Sequence, residues 1–196
     1  MYRWQPTIFL YVVWSSLIEF EIMNLDILTP LGQITVAEEK VAYAIFEKQQ
    51  VGYTIQHTDK TKPVPFDGWI IYNGSPVALI ETKCRFDVWY DEFVNRYKNR
   101  WLITEAKLQV ASRSSRKARL PLYGFLYIVK SKVLMVKRLA DKDGLLVERE
   151  VKDTVTQATV NGGVIKRTNC FVSMNKCSIM QWEERPMPKL SHHSVF

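Results

Sequence analysis

Much is missing from this 196-residue chain, and each absence narrows what it can be. Three cysteines, Cys84, Cys170 and Cys177, are an odd number and none forms a CxxC pair. That argues against a disulfide framework or a structural zinc site, and for a reducing compartment. Neither a GxSxG nucleophile turn nor a phosphate-binding P-loop occurs. The three histidines, His57, His192 and His193, lie in a strand-like segment and in the tail, so none has a catalytic setting. The apolar run in Thr7–Ile22, "TIFLYVVWSSLIEFEI", goes about a dozen residues without a charge, too short to span a bilayer. Arg3 makes a weak basic start, but no clear small-x-small cleavage site follows. Residues 1–22 therefore read as an added strand or helix, or as an over-long start ahead of Met23, with a signal anchor the lesser reading.

What is present is an ordinary globular composition, 47% hydrophobic and 24% charged, in a length that one domain with a sizeable core can use. The formal charge is +7, which favours acidic partners, nucleic acid first and an anionic membrane surface second. No internal repeats or low-complexity tracts appear.

Periodicity supplies the elements. A helix is expected from about Val36 to Gln50, with Thr35 as N-cap, Glu38 as the reciprocal acid of a capping box, and Val41, Ala42, Ile45 and Phe46 as its apolar stripe. Val51–Thr58 reads as a strand, and "FDGWIIYNGSPVALIETKCRF" (66–86) as a hairpin turning at Asn73-Gly74. Asp91 to about Arg113 has a helical pattern that includes Trp101. Leu122–Val129 is a continuous apolar run, as in a strand covered on both faces, and Lys132–Leu139 pairs with it. Short β-like pieces follow: "LLVEREV", "TVTQATV", "VIKRT" and "CFVSM", then a loose tail. The expectation is an α/β fold with a mixed β-sheet flanked by helices and a β-rich C-terminal extension. Its boundaries are an N-terminal extension at 1–34, a core at 35–139 and the extension at 140–196.

The hairpin holds the chemistry. Glu-x-Lys occurs four times, at Glu38/Lys40, Glu81/Lys83, Glu105/Lys107 and Glu150/Lys152, so the bare pattern means little. Only Glu81 and Lys83 follow a long apolar run, "PVALI", of the kind a sheet interior demands. A strand sends residues i and i+2 to one face, so Glu81 and Lys83 point together. Asp67 belongs to the partner strand. A plain two-residue turn pairs Phe66 with Glu81 and sends Asp67 to the other face. An extra residue in a loop or bulge pairs Asp67 with Glu81 and brings the carboxylates together. The sequence permits either register. As bystanders, the three charges would be an exposed cross-strand ion pair. As a cluster, two converging carboxylates need a cation, and hard oxygen ligands suit Mg²⁺, with Mn²⁺ able to substitute. A neighbouring lysine then steadies an attacking water and the charge on a phosphate, which is the equipment of phosphodiester hydrolysis.

This stretch resembles the core of the PD-(D/E)xK nuclease superfamily, an Asp-(x)n-Glu-x-Lys hairpin preceded by a helix that carries another acid. The order helix, three strands, helix, strand over residues 35–139 is also similar, and "TVAEEKV" resembles the Ser/Thr-x-x-Glu helix start of junction-resolving phage endonucleases. Phe66 stands where the motif has proline, with Pro65 one place earlier. The resemblance implies a restriction-endonuclease-like core. It implies Asp67, Glu81 and the Thr82 backbone carbonyl as metal ligands, Lys83 as catalytic lysine and Glu38 as helix acid. Between Glu38 and Glu39, the stripe of Val41, Ala42 and Ile45 favours Glu38.

Softer candidates complete the expectation. Arg113, Arg116, Lys117 and Arg119 form a basic cluster that can grip DNA phosphates or simply solubilise a loop. Lys107 and Gln109 lie on the second helix, where some superfamily members keep a polar residue near the phosphate. Trp89, Tyr90 and Trp101 suit base stacking but fit a core better. The expected protein is a Mg²⁺-dependent DNA endonuclease that reads DNA structure or ends. Its expected setting is the cytoplasm of a bacterium or phage-infected host, with no membrane partner and with a homodimer allowed. The rival is a non-catalytic nucleic-acid-binding or assembly module that keeps a nuclease-like sheet.

Overall fold

The computed structural model describes residues 29–60, 62, 64–157 and 164–182. The readings of residues 1–22 and of the C-terminal tail lie outside these.

Helix α1 runs Pro30–Gln49, earlier than the expected start at Val36. The Thr29 side chain accepts from the Gly32 N–H at 3.0 Å, and Pro30 opens the first turn, where its missing N–H costs nothing. Thr35 is thus inside the helix, where its hydroxyl donates to the Leu31 carbonyl at 2.9 Å, and no capping box forms with Glu38. The helix also crosses the expected 34/35 boundary.

Strands β1 (Tyr53–His57), β2 (Gly68–Tyr72) and β3 (Ser75–Arg85) form an antiparallel meander. A short helix α2 (Tyr90–Asn95), strand β4 (Arg100–Thr104) and helix α3 (Glu105–Ala118) then cross over to β5 (Leu122–Ile128), which lies parallel to β3. Strand β6 (Val133–Ala140) returns antiparallel, as expected. β7 (Glu150–Gln157) and β8 (Val164–Ser173) follow, then β9 (Ser178–Gln181). The result is α/β, with a mixed, curled six-stranded sheet ordered β1-β2-β3-β5-β6-β9 and a separate three-stranded sheet ordered β4-β8-β7.

Two expectations need correction. The segment from Asp91 to Arg113 is not one helix: Lys98 and Asn99 take positive φ of 51° and 55°, ending α2, and "RWLIT" forms β4. Its alternation of buried Trp101 and Ile103 is a strand period, which pairing with β8 makes decisive. The C-terminal segments are not an appendix either, because β9 joins the central sheet beside β6 and β8 supplies the partner of β4.

The central sheet separates two apolar layers. Ala42, Tyr43, Ile45 and Phe46 of α1 pack on Ile70, Ala78, Ile80 and Phe125 on one face. On the other face Leu108 and Ala111 of α3, with Trp101 and Val172 of the small sheet, pack on Leu79, Leu126 and Met135. Gly124 is the close-approach point. A Cβ there would fall 2.1 Å from the Trp101 ring, so the small sheet seats on β5 only because that position is glycine. Trp101 is accordingly core and not a base-stacking surface, whereas Trp89 is exposed. Among the described residues, no helix is long and apolar enough to cross a membrane.

Candidate functional site: a buried carboxylate–lysine cluster

The register question has a definite answer. Asn73 and Gly74 take φ of 49° and 75°, the two left-handed residues of a tight two-residue turn, and Tyr72 pairs with Ser75 across it. The extra residue comes later. Ile71 faces Pro76 and Ile70 faces Ala78, so Val77 bulges out of the ladder, and from there Trp69 faces Leu79 and Gly68 faces Ile80. Continued one step, that register sets Asp67 opposite Glu81. The odd register is built, but by a bulge next to Pro76 and not at the turn. Pro76 has no N–H to give the ladder, which makes its neighbourhood the cheap place to insert a residue.

Asp67 caps the open end of the sheet just before β2. Its N–H donates to the Ile80 carbonyl at 2.8 Å, and its Oδ2 accepts from the Thr82 N–H at 2.7 Å. The Leu79 N–H bonds across to β5 through Pro121, so alternate residues of β3 turn their backbone the other way. Thr82 therefore presents N–H and carbonyl together on the edge beyond β2, beside Asp67.

Glu81 points to the α3 face and is 3% exposed. There Lys107, from the first turns of α3, places Nζ 2.5 Å from Glu81 Oε1 and 3.8 Å from Asp67 Oδ2. From the α1 side, Lys60 in the β1–β2 loop sets its Nζ 2.7 Å from Asp67 Oδ1 and 2.9 Å from Glu39 Oε2. Glu39, Lys60, Asp67, Lys107 and Glu81 thus form a chain of alternating charge, threaded from one helix to the other around the end of β3. Tyr43 steadies the α1 side through a 2.7 Å hydrogen bond between its hydroxyl and that of Thr82.

Burial and charge pull these groups apart. Burial pushes Glu81 up to about 7 despite the opposing pull of Lys107, and burial likewise raises Glu39 despite Lys60. Burial would raise Asp67 as well, but Lys107, Lys60 and the Thr82 N–H together hold it below the usual carboxylate range. For Lys60 and Lys107, burial alone would lower the ammonium; the facing carboxylates outweigh it and raise both. Five groups with three negative and two positive charges leave a net −1 when all are ionised. Glu81 Oε2 is buried with no hydrogen-bond partner. Both features fit a further cation.

The donor set defines what kind. Among the described residues, no three acid, histidine or cysteine side chains group as ligands around one point. Asp67, Glu81 and the Thr82 carbonyl offer hard oxygens from one side only. That suits an ion such as Mg²⁺, which keeps several waters, and not an all-protein cage.

The structure departs from the sequence expectations in several places. Glu39 and not Glu38 is the helix acid at this cluster. Because α1 starts at Pro30, its buried stripe runs through Gly32, Glu39, Ala42, Tyr43 and Phe46, and Glu38 turns to a groove with Lys40, Val41, Tyr127 and Trp182. Lys83 shares the Glu81 face by strand alternation and is exposed, while the ammonium on Glu81 belongs to Lys107. Arg113, Arg116, Lys117 and Arg119 are exposed at the far end of α3. About nine residues at 1.5 Å each put Arg116 roughly 14 Å along the helix from Lys107, on the opposite side of its wheel. Lys60 had no sequence signal at all, being one of two lysines in a polar loop. Lys107 had a weak one, its place on the second helix.

No family model matches the chain, and no curated protein or solved structure matches it either.

Proposed function

We propose that this protein is a metal-dependent nuclease of the PD-(D/E)xK type that hydrolyses DNA phosphodiester bonds inside a bacterial or phage-infected cell. One observation carries the reading: the Asp67 and Glu81 carboxylates converge on a single ammonium, with the Thr82 backbone edge between them. The helix, three-strand meander, helix, strand order of α1, β1–β3, α3 and β5 supports the same reading, with β4 inserted in the crossover. So does the formal charge of +7, since DNA is the commonest strongly acidic partner.

In this reading Asp67, Glu81 and the Thr82 carbonyl hold Mg²⁺, or Mn²⁺ in its place. The bound ion supplies a Lewis acid and an activated water. Asp67 has the right state for this task, since Lys60 and the Thr82 N–H keep it ionised and fixed in orientation. Lys83, two residues beyond Glu81 on the same face and exposed, meets the phosphate and offsets its growing charge. Glu39 and Lys60 act through Asp67 and are positioning residues. The exposed basic residues at the end of α3 would meet DNA away from the reacting phosphate. With no separate recognition domain evident, the substrate is read by shape or ends, as at a junction or flap.

The second reading is a non-catalytic nucleic-acid-binding module, favoured by the fact that Lys60 and Lys107 already compensate the acids. Supercoiled, flap and four-way-junction DNA incubated with Mg²⁺ separates the two. Wild type is expected to cut, and Glu81→Ala and Lys83→Ala to lose about a hundredfold or more in rate. Cleavage by all three proteins alike would overturn the proposed site, and cleavage by none would favour the binding module.

A further inference from the structure

Lys107 is an odd partner for so enclosed an acid. Its ammonium sits 2.5 Å from Glu81 Oε1 and 3.8 Å from Asp67 Oδ2, yet its side chain is 47% exposed, against 17% for Lys60. Lys60 is held from two sides, by Asp67 and Glu39, and closes a loop onto α1. Lys107 is held on the acid side only, with a long stem open to solvent on the first turns of α3. Glu81, 3% exposed, has one oxygen on Lys107 and the other, Oε2, buried without a partner. The two acids that share Lys107 are thus its only printed ion-pair partners, and one of them is incompletely satisfied.

We propose that Lys107 is an exchangeable counter-ion. It occupies the gap between Asp67 and Glu81 when no metal is bound, and an incoming divalent cation displaces it. This rests on the nuclease reading of the same two carboxylates and adds a residue to it. A divalent ion can contact Asp67 and both oxygens of Glu81, including the one that Lys107 leaves unsatisfied. The displaced ammonium needs only side-chain rotation to reach solvent, where a DNA phosphate oxygen would be its next partner. Lys60 stays in place, so the site exchanges one of its two built-in cations and keeps the other as a fixed brace.

The test is calorimetric titration of Mg²⁺ and Mn²⁺ into the full DNA-free chain. Lys107→Met keeps the stem and removes the competing charge, so it is expected to bind both ions about tenfold or more tightly than wild type. Lys107→Arg keeps a cation that grips carboxylates at least as firmly, and is expected to bind them no more tightly than wild type. It also guards against loss of fold in the Met variant, because weaker binding by the arginine protein supports the proposal by itself. Lys83→Met is expected to change affinity by less than about twofold, being exposed and more weakly coupled to the gap. Equal affinities in wild type, Lys107→Met and Lys107→Arg would overturn the counter-ion role while leaving the nuclease reading standing. A gain in Lys83→Met equal to that in Lys107→Met would overturn it as well, since any lost positive charge would then do. Absence of cation binding in wild type and every variant would overturn both.

Discussion

The two ends of α3 carry the chain's two candidate basic features, and they are built in opposite ways. At the start, Lys107 faces the buried carboxylates of Glu81 and Asp67. At the end, Arg113, Arg116, Lys117 and Arg119 stand in water, and Arg119 makes a surface pair with Asp143 at 3.1 Å. One lysine at the first end is set by geometry, while several positive charges at the other are set by composition. A dense run of basic residues attracts the eye in a sequence, but energy concentrates where charge is enclosed. The same contrast separates Glu39, which is buried on Lys60, from its neighbour Glu38, which is turned to an open groove.

The comparison can be broken most easily at Lys60. Lys60→Met leaves Glu39 and Asp67 without their shared cation, and chemical denaturation is expected to show a loss of about 3 kcal/mol or more. A loss below about 1 kcal/mol would mean that the cluster behaves like a surface pair.

Next in size is a pH effect at Glu81. Its carboxyl is pushed up from 4.5 to about 7, chiefly by burial, so between those values the folded chain holds a proton that the unfolded chain has released. Stability from this group is therefore full below about 4.5 and is lost as pH rises through about 7. Glu81→Gln cannot ionise and removes that slope. Its stability relative to wild type is expected to improve by roughly 2–3 kcal/mol between pH 4.5 and pH 8. Asp67, lowered instead, has the opposite sign: its contribution is present above 3.8 and fades only in stronger acid. A stability difference between Glu81→Gln and wild type that is flat with pH would show that Glu81 is ionised throughout.

The smallest effect belongs to the far end of α3. Arg116→Ala or Lys117→Ala is expected to change stability by less than about 0.5 kcal/mol. If these residues meet DNA, each lowers the salt dependence of DNA binding by about one counter-ion, measurable in a salt titration.

How much of this was legible depended on how local each cause is. The hairpin, its Asn73-Gly74 turn and the shared face of Glu81 and Lys83 follow from a two-residue period and from turn chemistry, both carried by adjacent residues. The register was posed correctly as a choice, and Pro76 was the clue to where the extra residue would sit. Strand β4 was hidden because "RWLIT" is short, and a run from Asp91 to Arg113 offers a helix period as readily as a strand period. Only β8, some sixty residues on, gives it a partner. The choice of Glu39 over Glu38 turned on one helix boundary: Thr29 and Pro30 start the helix six residues early, and a helix face is defined by its packing.

By itself, then, the sequence determined that Asp67, Glu81 and Lys83 lie on neighbouring strands of a hairpin, and that an added residue would set the acids opposite each other. It determined as well that an apolar β5 would be covered on both sides. Tertiary structure alone decided which acid of α1 turns inward, and that Lys60 and Lys107 compensate the cluster in place of Lys83. It alone decided that β8 and β9 complete the two sheets. The physical reason is that a charge acquires its partner and its energy from what excludes water around it. Here that exclusion is the work of α1, α3 and a loop meeting at the end of β3 from separate parts of the chain.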